Sequence, residues 1–253
     1  MNGFMNPAEF ANIAKSERDF WWFRGMREIF FRALAPHLEG RKISRALEAG
    51  CGTGYMASLL QKAHGWPLIP TDISGDGLRY ARRMGVANRV QSNALSLPFP
   101  DATFDLLMSF DLLVHLPQGV EASAAREWSR VLAPGGLLVV RAAAFNTLLS
   151  RHSAFVYERQ RFTRRQLTRV FAAAGIRILR ATYANSLLLP VALFKFRVWE
   201  PLLRLPPSSG VASMPPWLDR LLYTALALES RWIGSGRNLP VGQSVLLIGE
   251  KIL

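Results

Sequence analysis

The stretch RALEAGCGTGYMASLL, from Arg45 to Leu60, limits the fold more than any other part of the chain. It reads as a short buried strand ending in an acid, a glycine turn and then a helix. Gly50, Gly52 and Gly54 alternate, so the backbone can bend sharply and approach a ligand where a Cβ would collide. Met56, Leu59, Leu60 and Ala63 recur at helical spacing, which places the turn at a helix N-terminus. At the carboxyl end of the first strand of a doubly wound sheet, such a turn is where nucleotides bind.

Spacing narrows the ligand. A dinucleotide fingerprint needs a third glycine three residues after the second, and Tyr55 holds that place. There is no GK[ST] pair, so a triphosphate loop is excluded. What remains is Glu48-x-Gly50-x-Gly52-x-Gly54, followed by Asp72 at the end of a second apolar run, Pro67 to Pro70. An acid there can accept hydrogen bonds from both ribose hydroxyls. On these residues the chain resembles the class I S-adenosylmethionine-dependent methyltransferases, whose motif is (E/D)xGxGxG followed by an acid ending the second strand. A bare tight connection is the competing reading of the glycines alone.

The resemblance implies a seven-stranded, mostly parallel sheet with helices on both faces and an antiparallel last strand. Alternation alone gives only the doubly wound α/β class. It further implies S-adenosylmethionine as cofactor, with its demethylated product, and a cofactor site of Trp22, Arg24, Glu48, Gly50, Cys51, Gly52, Gly54, Asp72, Ile73, Asn93, Ala94, Leu95 and Phe110. In that family an Asp usually stands where Asn93 does and accepts from the adenine amino group. Asn can accept through its carbonyl oxygen, without the charge assistance of a carboxylate.

Glu17 to Leu38 reads as one helix dense in aromatics (Phe20, Trp21, Trp22, Phe23, Phe30, Phe31), ended by Pro36 and Gly40. In methyltransferases with a WWFRxxR-like segment the helix lies over the cofactor. There Arg24, or Arg27 as the second choice, can pair bidentately with the methionine carboxylate. An amphipathic helix with snorkelling arginines is the plainer alternative.

Further along, Ser74 to Arg83 reads as a helix capped by Ser74, Val86 to Ser92 as a third strand and Phe104 to Phe110 as a fully buried fourth. His115, just beyond that strand, is the candidate general base, since neutral imidazole can take a proton from a hydroxyl or amine. A structural histidine is the competing reading. Leu137 to Arg141 reads as a fifth strand after the PGG turn, and Arg177 to Tyr183 as a sixth after a helix capped at Thr163 and closed by Gly175. Between them, Tyr157 to Phe162 is a linker over the crevice, where Tyr157, Arg159 and Arg161 could meet substrate, with surface solvation the main expectation for the arginines. No spacing of His, Cys and carboxylates suggests a metal site.

Residues Ala184 to Leu239 depart from a minimal methyltransferase. Leu187 to Leu203 and Trp217 to Ile233 read as helices flanking the loop LPPSSGVASMPP, inserted before a last strand, Gln243 to Glu250. In the second helix Leu218, Leu221, Leu222, Ala225 and Trp232 are expected to share the buried face, with Asp219, Arg220 and Arg231 pointing away. A lid over an apolar substrate, a homodimer surface, a peripheral membrane contact and ordinary packing compete as its role.

The organisation expected is a single domain: an N-terminal helical lid over 1–40, a cofactor core over 41–183, the insertion over 184–239 and the last strand over 240–253. A single cysteine and a first segment, MNGFMNPAEF, without a basic-then-apolar pattern point to a reducing cytoplasm. The net charge of +13 is compatible with nucleic acid, an anionic membrane face or phosphorylated substrates. Yet the basic residues form no long run, and no (D/N)PP(Y/F) motif ends the fourth strand, which disfavours nucleic acid. The expected function is methyl transfer to a small molecule, apolar or lipid-linked. The alternatives are an RNA methyltransferase, a silent binding subunit and a non-methylating enzyme, such as a cyclase, that keeps the cofactor.

Overall fold

The computed structural model describes residues 5–212 and 214–252. The first four residues, on which the expectation about a leader partly rests, lie outside it, as does Ser213 of the Pro/Ser-rich loop.

Seven strands form one sheet in the order β3-β2-β1-β4-β5-β7-β6. They are β1 (Ala46–Ala49), β2 (Leu68–Asp72), β3 (Val90–Gln91), β4 (Phe104–Phe110), β5 (Leu132–Ala143), β6 (Ile176–Ala184) and β7 (Ser244–Lys251). The first five pair in parallel, and β7 inserts antiparallel between β5 and β6. The chain reverses direction in the strand order beside β1, between β1 and β4. There the carboxyl ends open a crevice, as in other doubly wound sheets.

Both faces are covered. On one, α2 (Trp21–Leu38), α3 (Tyr55–His64), α4 (Gly75–Arg83) and α10 (Pro216–Gly234) pack through Met26, Phe30, Leu60, Ala81, Leu226 and Ile233 onto Leu106, Met108 and Val139. On the other, α5 (Glu121–Val131) and α7 (Arg164–Ala173) pack Trp128, Leu167 and Phe171 onto Leu107, Leu138 and Leu247. Burial on both sides explains the unbroken apolar run Leu106 to Met108 in β4, while its two polar residues are bonded, Asp105 accepting from the Ser44 and Arg45 N–H groups and Ser109 donating to the Ala49 carbonyl.

Several boundaries differ from the sequence reading. The helix expected from Glu17 is two helices, α1 (Pro7–Ser16) and α2, meeting at a turn where Glu17 is the C-cap of the first. Asn6 caps α1 by accepting from the Ala8 N–H, and Pro7 stands at its first position, where a missing N–H costs nothing. Pro36 does not end α2, which continues to Leu38. The third strand shrinks to two residues, whereas the fifth starts earlier, because the PGG turn is drawn into a bulged pairing with Phe104.

The face of α10 is also rotated from the one expected. Its buried residues are Leu226, Glu229, Ser230 and Ile233, while Leu221 and Trp232 are exposed. Asp219 turns inward, accepting from the Trp21 N–H at 2.9 Å and facing Arg24. Gly25 sets this packing: a Cβ there would lie 2.4 Å from the Leu226 Cβ, so α2 and α10 approach backbone to side chain.

The first inserted helix comprises α8 (Leu189–Phe194), a π-helical turn over Lys195–Trp199 and α9 (Glu200–Leu202). Pro201 has no N–H to give the Arg197 carbonyl, and the chain widens so that the Glu200 N–H donates to the Lys195 carbonyl, five residues back. No helix among the described residues is long and apolar enough to cross a membrane.

Candidate functional site

Above the carboxyl ends of β1, β2 and β4 lies a cavity of about 830 Å³. Its floor is the glycine turn. Gly50, Gly52 and Gly54 all have positive φ (76°, 53° and 73°), a region in which residues with a Cβ are strained. Their surroundings separate their roles. A Cβ on Gly50 would come within 2.3 Å of Leu112, and one on Gly54 within 2.5 Å of the Ala81 Cβ, so those two permit close packing. A Cβ on Gly52 would meet only the Phe10 ring, at 3.9 Å across the cavity.

Asp72 ends β2 and locks the turn. One carboxylate oxygen accepts from the Gly52 N–H at 2.8 Å and the other from the Ser74 N–H at 2.8 Å. Burial raises its pKa, and these backbone donors oppose the rise. Glu48, at the end of β1, is more extreme. Burial, then the neighbouring Asp72 charge, pushes its carboxyl up to about 8, and its Oε2 has no partner.

A third acid was missed from sequence. Glu17, at the α1–α2 turn, reaches down to the Thr53 hydroxyl, and burial raises its pKa to about 7. Its Oε1 is likewise without a partner. Only its place ahead of the aromatic run could have signalled it, and that run was read as continuous helix.

Most of the expected cofactor residues converge here: Trp22, Glu48, Gly50, Cys51, Gly52, Asp72, Ile73, Asn93, Ala94 and Phe110 line the cavity. Three do not. Gly54 supports packing, Leu95 faces the core with its N–H bonded to the Asn93 Oδ1 at 2.9 Å, and Arg24 points to α10. Arg24 lies 3.3 Å from Asp219 and its guanidinium stacks over Tyr223 at 4.0 Å.

Arg27, the second choice, is the arginine that lines the cavity. The two lie about one turn apart on neighbouring positions of α2, and their partners part them: Asp219 and Tyr223 of α10 draw Arg24 away, whereas Arg27 turns to the α1–α2 junction. Arg27 donates to the Glu17 and Arg18 carbonyls and lies over the Tyr55 ring at 5.0 Å, clamping the α1–α2 turn above the glycines. Asn93 uses its Oδ1 within its own loop, leaving its amide group as the free donor.

Aromatics form one wall. Phe110 meets Phe30 edge-on at 4.9 Å, and the Arg141 guanidinium lies over Trp22 at 4.9 Å while it pairs with Asp111. Asp111 adopts φ +56° at the exit of β4, which turns the chain toward His115.

His115 is half-buried, its enclosed Nδ1 has no partner, and desolvation lowers its pKa. A hydrogen bond to the Tyr157 backbone and the charges of Glu158, Asp111 and Asp72 act the other way.

Beyond His115 the cavity extends between α6 (Arg151–Phe155) and the insertion, past Arg151, Glu158, Arg161, Lys195, Phe196 and Glu200. Arg161 is not solvated as expected. It is 9% exposed, donating to Glu158 at 2.9 Å and to Ser153 at 2.8 Å.

These features fit S-adenosylmethionine. A turn that admits close backbone approach, an acid ending β2 and orphaned buried carboxylate oxygens on Glu17 and Glu48 suit a ribose and a cationic ligand. Comparison agrees. Residues 47–140 match the family model described as a methyltransferase domain. The chain is 35% identical over 121 residues to a protein of Mycobacterium tuberculosis named as a probable S-adenosylmethionine-dependent methyltransferase, covering 47% of this chain and 42% of that one. It is 34% identical over 98 residues to the 2-methyl-6-phytyl-1,4-hydroquinone methyltransferase of a Synechocystis strain, covering 37% of this chain and 30% of that one. It thus spans less than half the length of these relatives. A solved S-adenosylmethionine-dependent methyltransferase from Archaeoglobus fulgidus superposes with a TM-score of 0.57 over 90% of this chain and 94% of that one, at 18% identity, which speaks for the fold. Residues 47–140 are therefore similar in sequence to the methyltransferase domain of S-adenosylmethionine-dependent enzymes, and the chain around them has the fold of that class.

Proposed function

We propose that the protein transfers a methyl group to a small-molecule acceptor with an apolar body, held between the aromatic wall and α6. The observation that carries this is the placement of His115. Its unpartnered Nδ1 lines the same cavity as the glycine turn and Asp72. A relative whose name gives a phytyl hydroquinone as substrate supports an acceptor with an apolar body.

Glu48, Gly50, Gly52, Asp72 and Asn93 would hold the cofactor, with Glu17 and Arg27 above it. Bound there, the sulfonium supplies an activated methyl group: the acceptor oxygen–methyl bond forms as the sulfur–methyl bond breaks, and the electron pair returns to sulfur. The chain's own task is alignment and exclusion of water. Trp21, Trp22 and Phe110 shut the apolar side, and Arg141 fixes Trp22 from behind. The acceptor's proton passes to His115 Nδ1, which is neutral and available at pH 7 because burial holds its pKa below the ordinary value.

The test is transfer of labelled methyl to a panel of prenylated or long-chain phenols. Turnover by the wild type, a drop of about 10²-fold or more in His115→Ala and loss of the acidic limb of the pH–rate profile in that variant would support the reading. Turnover in His115→Ala equal to wild type at all pH would remove the histidine from the chemistry.

A further inference from the structure

The insertion is charged in a way that ordinary packing does not require. Residues 184–239 contain three acids, Glu200, Asp219 and Glu229, and all three turn inward. Glu200 and Glu229 are buried, accepting from the Arg151 and Leu187 backbone N–H groups, and Asp219 is tied to Trp21 and Arg24. The six bases of the segment, Lys195, Arg197, Arg204, Arg220, Arg231 and Arg237, are all exposed. The outward charge of the insertion is therefore wholly positive.

Between those bases the surface is apolar. Val191, Phe194, Val198 and Leu202 recur every three or four residues along the first inserted helix, forming one stripe, with Leu187 in the turn before it. All are exposed, Leu202 by 73% and Phe194 by 59%, with Trp199 beside them at 50%. On α10, Trp217, Leu221 and Leu228 are exposed in the same manner. A monomer in water rarely leaves so much contiguous apolar surface uncovered.

We infer that this face docks on the surface of an anionic phospholipid bilayer, with the inserted helix lying in the interface plane. An apolar stripe flanked by Lys and Arg and bearing Trp is what such a surface binds, the bases each adding attraction to anionic headgroups. A second copy of the chain would bring six like charges against six, which disfavours self-association through this face. The helix also forms a cavity wall, since Phe196 and Glu200 line the cavity on the side away from the stripe. Docking therefore places the cavity beside lipid, where the apolar acceptor proposed above would enter; the docking itself does not depend on that reading.

The experiment is flotation of the full chain with vesicles of phosphatidylglycerol and phosphatidylcholine mixed, against phosphatidylcholine alone. The wild type is expected to float with the anionic vesicles and to be released by high salt. The triple variant Phe194→Ser, Val198→Ser, Leu202→Ser is expected to float at least 10-fold less while keeping its thermal midpoint and its S-adenosylmethionine affinity, since none of the three lines the cavity. Arg197→Glu with Arg204→Glu is expected to erase the preference for anionic lipid. Failure of the wild type to float, or equal flotation of the triple variant, would overturn the inference. So would a wild-type dimer by light scattering that the triple variant dissociates. Cofactor affinity, read separately on the same proteins, tells failure of docking from failure of the methyltransferase reading.

Discussion

The Asp72 carboxylate accepts from the Gly52 N–H at 2.8 Å, so the acid ending the second strand also fixes the glycine turn after the first. The two motif elements are one unit. A ligand lying on the turn meets a backbone already held in its positive-φ conformation, and little ordering remains to be done on binding.

Gly50 and Gly52 should therefore respond differently to alanine. Gly50→Ala drives a Cβ to 2.3 Å from Leu112 at φ +76°, and it should cost about 2–4 kcal/mol of stability, overpacking and backbone strain acting together. Gly52→Ala has room in the protein and should cost about 1–2 kcal/mol for its positive φ. Its methyl group occupies the turn's ligand side, so cofactor affinity should fall more than stability. Chemical denaturation paired with binding measurements on both variants checks this.

Glu48 makes the free protein's stability depend on pH in an inverted sense. Its carboxyl is raised from the ordinary 4.5 to about 8, so between those values the folded state holds a proton that the unfolded state has lost. Its contribution is greatest at low pH, is lost as pH rises through that window and is flat above it. Glu48→Gln cannot titrate, so the stability of wild type relative to this variant should decline from about pH 5 to pH 8. Denaturation midpoints of both proteins across that range read it directly. Because the bound ligand is cationic, cofactor affinity of the wild type should rise over the same window.

Gly25 and Leu226 should be coupled. Gly25→Ala puts a Cβ 2.4 Å from Leu226 and should destabilise by about 1–3 kcal/mol, forcing α2 from α10. Leu226→Ala alone leaves a cavity, at a cost of about 2–5 kcal/mol. Combined, the two should cost less than their sum, and a double-mutant cycle by denaturation measures the difference.

The sheet was legible because its strands are apolar runs punctuated by glycines and because the motif spacing fixes where β1, β2 and the turn lie. The site was legible where it sits on strand ends: Glu48, Asp72, Asn93, Phe110 and His115 are all delivered there, and all line the cavity. What escaped was set by packing between distant segments. Arg24 and Arg27 look alike in sequence, and only the docking of α10, with Asp219 at its first turn, draws Arg24 away. The face of α10 was misjudged because apolarity alone was counted. Glu229 and Ser230 are buried there, Glu229 accepting from the Leu187 N–H through Oε1 alone and Ser230 donating to Glu28. Glu17 was hidden by an unbroken aromatic run across a helix boundary.

The most direct measurement is calorimetric titration of the purified chain with S-adenosylmethionine, repeated on Asp72→Ala. Saturable one-site binding is expected, weakened by about 10- to 100-fold in the variant as charge-assisted bonds to the ribose are lost, with the variant folded by circular dichroism. Folded wild-type protein that gives no heat with the cofactor or its demethylated product, or an Asp72→Ala variant that binds as tightly as wild type, would contradict it.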